Sequence, residues 1–154
     1  MDAALAGDGA LAEALGYEVA AGWVTFTDAL MPTRDALVAN PASAVWGPRF
    51  FVAGDPPQLV GWGGFKGPPN EGVVELGYEI AESHRGRGLA TAAARAMLEE
   101  AFAVEEVTAV MAHTLPETNA SNRVLEKLGF RYDGEVLEDG EVVWRFVLAR
   151  PAND

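Results

Sequence analysis

The spacing of apolar and polar positions changes several times along the chain, and each change marks an element. Residues 3–15 (AALAGDGALAEAL) set Leu5, Leu11, Ala12 and Leu15 at helical intervals, with Gly7 and Gly9 inside the run and Gly16 closing it; this predicts one short helix. A second helix is predicted over residues 33–39, with Pro32 before it and Asn40-Pro41 stopping it, because a residue preceding proline disfavours the helical basin. The stretch between the two, which holds Trp23 and Phe26, has no readable period. Residues 49–53 (RFFVA) and 58–65 (QLVGWGGF) read as strands of a hairpin across Gly54-Asp55-Pro56-Pro57.

The second half is more regular. Residues 73–80 (VVELGYEI) alternate, with Val74, Leu76, Tyr78 and Ile80 on one face and Glu75, Gly77 and Glu79 on the other. Residues 88–103 predict the strongest helix, with a stripe of Leu89, Ala93, Ala96, Met97 and Ala101 opposite Thr91, Arg95 and Glu99. Residues 107–114 (VTAVMAHT) are apolar enough for a strand covered on both sides. A compact helix follows over residues 120–128, stopped by Gly129 with Phe130 placed for the accompanying apolar contact. Residues 131–136 and 142–149 complete a hairpin across Glu138-Asp139-Gly140. This order predicts a mixed sheet with a strand, helix, strand unit at its centre.

A chain of 154 residues fits one domain with an ordinary apolar core. With no cysteine, a thiol nucleophile, a Cys-type zinc site and a disulfide framework are excluded. A net charge of −12 disfavours nucleic acid and anionic membrane as partners. No apolar run of membrane-spanning length and no secretory leader is visible, so a cytoplasmic location is expected. His84 and His113 stand far apart with no ligand partners at metal spacing; surface or core roles are the expectation, and no metal. The charge is unevenly placed: residues 1–84 carry three basic side chains against eleven acidic, residues 85–131 six of each.

The positive charge concentrates around one loop. Between the strand ending at Ile80 and the helix opening near Gly88 runs Glu82-Ser83-His84-Arg85-Gly86-Arg87-Gly88-Leu89-Ala90. A helix N-terminus presents unpaired N–H groups and about half a positive charge, and glycines let an anion approach them. Neither the Gly-Lys-Ser/Thr of a P-loop nor G-x-G-x-x-G is present, which argues against ATP and dinucleotides.

Arg85-Gly86-Arg87-Gly88-Leu89-Ala90 resembles Q/R-x-x-G-x-G/A, the acetyl-CoA pyrophosphate loop of the GNAT superfamily of N-acetyltransferases. Residues 121–130 (SNRVLEKLGF) resemble its second cofactor segment, particularly in the branch similar to ribosomal-protein alanine acetyltransferases. The likeness covers residues 50–149; residues 1–49 share only a helical character. It implies a single α/β (α+β) domain over residues 1–154, built on a mixed, mostly antiparallel sheet of six or seven strands, splayed at the centre and flanked by helices. It also implies acetyl-CoA as cofactor, with Arg85, Gly86, Arg87, Gly88, Leu89 and Ala90 at the diphosphate and the backbone of Tyr78 to Ile80 beside pantetheine. Thr118, Asn119 and Ser121 belong to the second segment. That branch has Asn three residues before the Ser; here Thr118 stands there and Asn119 one place later. Many members have a Tyr four residues before the Gly of Gly-Phe, as the acid for the leaving thiolate, and here Leu125 replaces it. Ser121, a water or the helix dipole then remains for that task.

Acetyl transfer to an amine needs the neutral form, which at a pKa of about 10.4 is roughly one molecule in a thousand at pH 7. Something must take the proton; a carboxylate lining the sheet, acting directly or through a water, is the candidate, and the resemblance points to Glu75, with Glu79 on the same face as runner-up. The absence of cysteine favours direct transfer through a ternary complex to a small-molecule amine or a peptide N-terminus. A non-catalytic acyl-CoA-binding sensor of the same fold is the alternative, and a homodimer is possible through exposed edge strands. Taken without the resemblance, the paired glutamates read as a solvated face. Ser121 and Thr118 read as helix caps, and Trp23, Phe26, Trp46, Trp62 and Phe65 as core rather than acceptor pocket.

Overall fold

A computed structural model describes residues 1–25 and 27–152. Twelve elements follow one another: α1 (Asp2–Ala6), α2 (Asp8–Leu15), β1 (Glu18–Val19), α3 (Leu30–Ala39), β2 (Pro48–Ala53), β3 (Gln58–Phe65), β4 (Val73–Ile80), α4 (Leu89–Phe102), β5 (Ala109–Thr114), α5 (Ala120–Lys127), β6 (Arg131–Glu138) and β7 (Glu141–Ala149). The strands form a seven-stranded, mostly antiparallel sheet in the order β1-β3-β4-β5-β7-β6, with β2 also paired to β3. The β4–β5 pair is parallel, and the chain crosses from one to the other through α4. Its register runs from Val73↔Ala109 to Leu76↔Ala112 although both strands continue.

Three predicted elements differ in detail. The helix over residues 3–15 is two, parted at Gly7, which has φ 116°. The helix expected after Pro32 starts at Leu30, so Pro32 lies in its first turn, where a missing N–H costs no hydrogen bond. In α4 the buried side chains are Ala94, Met97, Leu98 and Ala101, whereas Ala96 is exposed. Alanines fit either side of a helix, and the larger Met97 and Leu98 decide which side is buried.

The chain divides into two compact units. One comprises Met1–Phe65 and Tyr78–Ala90, the other Lys66–Gly77 and the chain from Thr91 onward. The first has its own core of Ala4, Leu11, Trp23, Leu30 and Leu59, with Phe50 and Trp62 packed against it. Trp23 meets Phe50 and Trp62 edge-on at 5.5 and 5.9 Å and donates its indole N–H to Asp8 at 2.9 Å. Trp46 and Phe65, also buried, make a similar edge contact at 5.3 Å. These tryptophans and Phe65 are packing residues, as read from sequence; Phe26 lies outside the described residues. In the second unit Val74, Leu76, Met97, Val107, Val110, Leu125, Phe130 and Phe146 are buried.

Candidate active site

The loop between β4 and α4 belongs to the first unit. After a single turn of 3-10 helix over Glu82–His84, Gly86 and Gly88 adopt φ of 77° and 76° on either side of Arg87, and α4 begins at the next residue. A side chain there would be strained, yet a Cβ built on either glycine meets no atom within 4 Å. Open space therefore lies beside both glycines. Alternating backbone hands of this kind form anion-binding nests, and the N–H groups of the first turn of α4 have no intrahelical acceptors. Arg85 folds back to donate its Nε–H to the carbonyl of Ile80 at 3.0 Å, and Arg87 leans on the Ser83 carbonyl at 3.4 Å. The Ile80 carbonyl is thus occupied by the loop's own arginine.

Glu79, in the same unit, accepts from the Trp62 indole at 2.7 Å and from the Thr25 backbone N–H at 2.8 Å, both on Oε1. It ties residues 20–25 to β3.

Glu75 lies in the second unit with different neighbours. Its Oε1 is 2.9 Å from Lys66 Nζ and 2.7 Å from His113 Nδ1, and the side chains of Glu75 and His113 are each only 13% exposed. Glu138 approaches Lys66 at 3.6 Å and His113 at 3.5 Å. Three strands explain the meeting. Glu75 pairs with Met111, which puts His113 on the same face two residues along, and the N–H of Lys66 donates to the Glu75 carbonyl at 2.9 Å. The Lys66 pKa is raised: burial alone would lower it, but the hydrogen bond and charge of Glu75, with Glu138 behind, outweigh that cost. The histidine that sequence spacing left without ligand partners thus has two carboxylates near it, and the ligand atoms of Glu75, His113 and Glu138 lie within 4.8 Å of one another. Lys66 already serves as cation to both carboxylates.

The second segment is held by α5. Its N-cap is Asn119, rather than Ser121 or Thr118. The Asn119 side chain accepts from the Asn122 N–H at 3.0 Å while Asn122 Oδ1 accepts from the Asn119 N–H at 3.2 Å. Asn122, 3% exposed, also donates to Thr114 Oγ1 at 2.8 Å, joining α5 to the end of β5. Leu125 is fully buried in the core. Sequence reading missed Lys66, His113, Glu138 and Asn122. The one available signal was the Asn-x-x-Asn spacing at the helix start.

Residues 10–131 match the family model described as an acetyltransferase (GNAT) domain. An uncharacterized N-acetyltransferase of Bacillus subtilis, YjdG, is 33% identical over 133 residues, 84% of this chain and 79% of that protein. Among solved structures, the ribosomal-protein-S5-alanine acetyltransferase of Vibrio fischeri superposes with a TM-score of 0.67 at 16% identity, covering 85% of this chain and 76% of that one. An aminoglycoside acetyltransferase solved with coenzyme A superposes with a TM-score of 0.60 at 24% identity, covering 73% and 70%. The chain belongs to the GNAT acetyltransferase family and is an N-acetyltransferase by class. The family match reaches back to residue 10, well before residue 50, where the sequence resemblance begins. Among the described residues no helix is long and apolar enough to cross a membrane.

Proposed function

We propose that the protein uses acetyl-CoA to acetylate a primary amine, on a small molecule or a peptide N-terminus, by direct transfer in a ternary complex. Residues 1–154 act as one acetyltransferase-like domain in this reading, and the family match runs through both compact units. The observation that carries it is the loop: two left-handed glycines around Arg87, open space beyond them, and a helix N-terminus immediately after. That donor set suits a diphosphate. Bound acetyl-CoA would supply the thioester. The N–H groups at Gly86, Gly88, Leu89 and Ala90 hold its diphosphate, with Arg85 and Arg87 adding charge, while Tyr78 and Ile80 line the pantetheine arm. Thr118, Asn119 and Ser121 form the second cofactor segment, and a proton for the leaving thiolate comes from Ser121 or from water.

Glu75 is the base. Lys66 and His113 converge on its Oε1, which leaves Oε2 as the accepting edge for an amine proton. Glu79 is the weaker candidate, because its contacts secure residues 20–25. The net charge of −12 favours a cationic acceptor through long-range attraction. A cytoplasmic setting and a homodimer are consistent with this reading.

The test is release of CoA thiol from acetyl-CoA with a panel of a polyamine, an aminoglycoside and a peptide with a free N-terminus, alongside calorimetric titration with CoA. Arg87→Ala is expected to raise the KM for acetyl-CoA about tenfold, a loss of ~1.4 kcal/mol. Glu75→Gln is expected to lower kcat roughly 10²- to 10⁴-fold, the usual contribution of a general base. Lack of CoA uptake at millimolar concentration overturns the cofactor assignment, and unchanged kcat in Glu75→Gln overturns the base.

A further inference from the structure

The His113 imidazole, 13% exposed on β5, has two inequivalent nitrogens. Nδ1 lies 2.7 Å from Glu75 Oε1 and 3.5 Å from Glu138 Oε2. Nε2 is buried with no hydrogen-bond partner among the described residues. A carboxylate accepts, so Nδ1 must carry the hydrogen. A cationic ring would add a second N–H at Nε2 with nothing to receive it, at the cost of a buried unsatisfied donor. The arrangement therefore selects the neutral ring protonated at Nδ1, the less common tautomer of a free histidine side chain in water. The charged and titratable groups around the ring are Glu75 on β4, Glu138 on β6, Lys66 after β3 and Arg145, its cross-strand partner on β7; the ammonium offsets one of the two carboxylates.

We propose that His113 is a positioning residue for the reaction: as a neutral Nδ1–H donor it fixes the rotation of the Glu75 carboxylate and directs Oε2 at the amine proton. This rests on Glu75 being the base. Lys66 cannot do the same alone, because an exposed ammonium on a flexible stem neutralises charge without setting the carboxylate plane. The imidazole stands on a short stem from β5, where His113 pairs with Arg145 of β7, and at 13% exposure it is more restricted than that ammonium. No proton passes to His113. Nδ1 already holds one, and the amine proton stays on Glu75 until solvent removes it.

The test needs two readouts. Nitrogen NMR of the histidine side chains, without substrate, is expected to show His113 protonated at Nδ1 and unprotonated at Nε2 at neutral pH. An Nε2–H tautomer, or an imidazolium, in the wild type overturns the proposal. In turnover with acetyl-CoA and the best acceptor of the panel, His113→Asn keeps an N–H donor near the Nδ1 position and should hold kcat within about threefold. His113→Leu should lose about tenfold in kcat, with the KM for acetyl-CoA unchanged. In a Glu75→Gln background His113→Leu should cause no further loss, since it acts only through that carboxylate. An additive loss there, or equal kcat in the Asn and Leu variants, overturns it. If the Leu variant folds poorly, His113→Gln, whose amide lies one carbon further out, replaces it and should fall below the Asn variant. Failure of Glu75 as base shows separately, as full activity of Glu75→Gln alone.

Discussion

Lys66 follows β3 directly, and its ammonium meets Glu75 at 2.9 Å while its side chain stays 57% exposed. Because solvent screens a half-exposed ammonium, its removal in Lys66→Met is expected to cost no more than about 1 kcal/mol. The sign with pH follows from the raised Lys66 pKa. A group whose pKa is higher in the folded state stabilises fully below its unfolded value and stops doing so as pH climbs through the folded one. The gap between wild type and Lys66→Met should hold across neutral pH and close only above 10.5. Urea unfolding from pH 7 to alkaline conditions checks this, and a gap that already closes at mild pH counts against the pair. At the same scale, Glu75 and Glu79 looked equivalent in sequence, two carboxylates on one face of a strand. Their neighbours separate them: an ammonium and an imidazole for one, an indole and a backbone amide for the other.

Helix α5 shows how much of an element is written locally. Its end was readable. Gly129 donates to the Glu126 carbonyl and Phe130 to the Leu125 carbonyl, each at 3.0 Å, with Leu125 and Phe130 both buried, the pattern that Gly followed by an apolar residue signals. Its start was less so, because Thr118, Asn119 and Ser121 are all competent caps and the structure caps the helix with Asn119, in reciprocal bonds with Asn122. Asn119→Ala should cost ~1 kcal/mol, and at most about 2, while Asn119→Asp, which keeps the accepting oxygen and suits the helix dipole, should stay near wild type. Denaturant midpoints of the two variants decide it, equal losses being the contrary result. Helix α4 is the opposite case. Its existence was plain, but a run of alanines carries too little volume to say which stripe is buried, and that was settled by Met97 and Leu98.

For the whole molecule the governing quantity is a net charge of −12 set against two arginines on the loop between β4 and α4. At about 0.01 M salt the screening length is ~30 Å and the entire acidic surface repels an anion, whereas at 0.15 M it is ~8 Å and the local guanidinium groups dominate. Association of CoA, followed by stopped flow, should therefore quicken as salt rises from the lower to the higher value, the reverse of ordinary attraction between opposite charges. A monotonic fall would show that the loop charges outweigh the rest even at long range.

Strand and helix periods, the glycine-arginine loop and the Gly-Phe helix stop are short-range properties, decided within about ten residues of chain. For that reason the order of elements, the family resemblance and the glycine-bent loop before α4 could be read from sequence alone. The sequence could not show that Lys66, Glu75, His113 and Glu138 meet, since that depends on a parallel register between β4 and β5 and on the reach of β6. Nor could it show that Leu30, ahead of Pro32, opens a helix, or that Asn122 is buried. Those outcomes are set by contacts between residues far apart in the chain, whose energies exist only once the sheet has assembled.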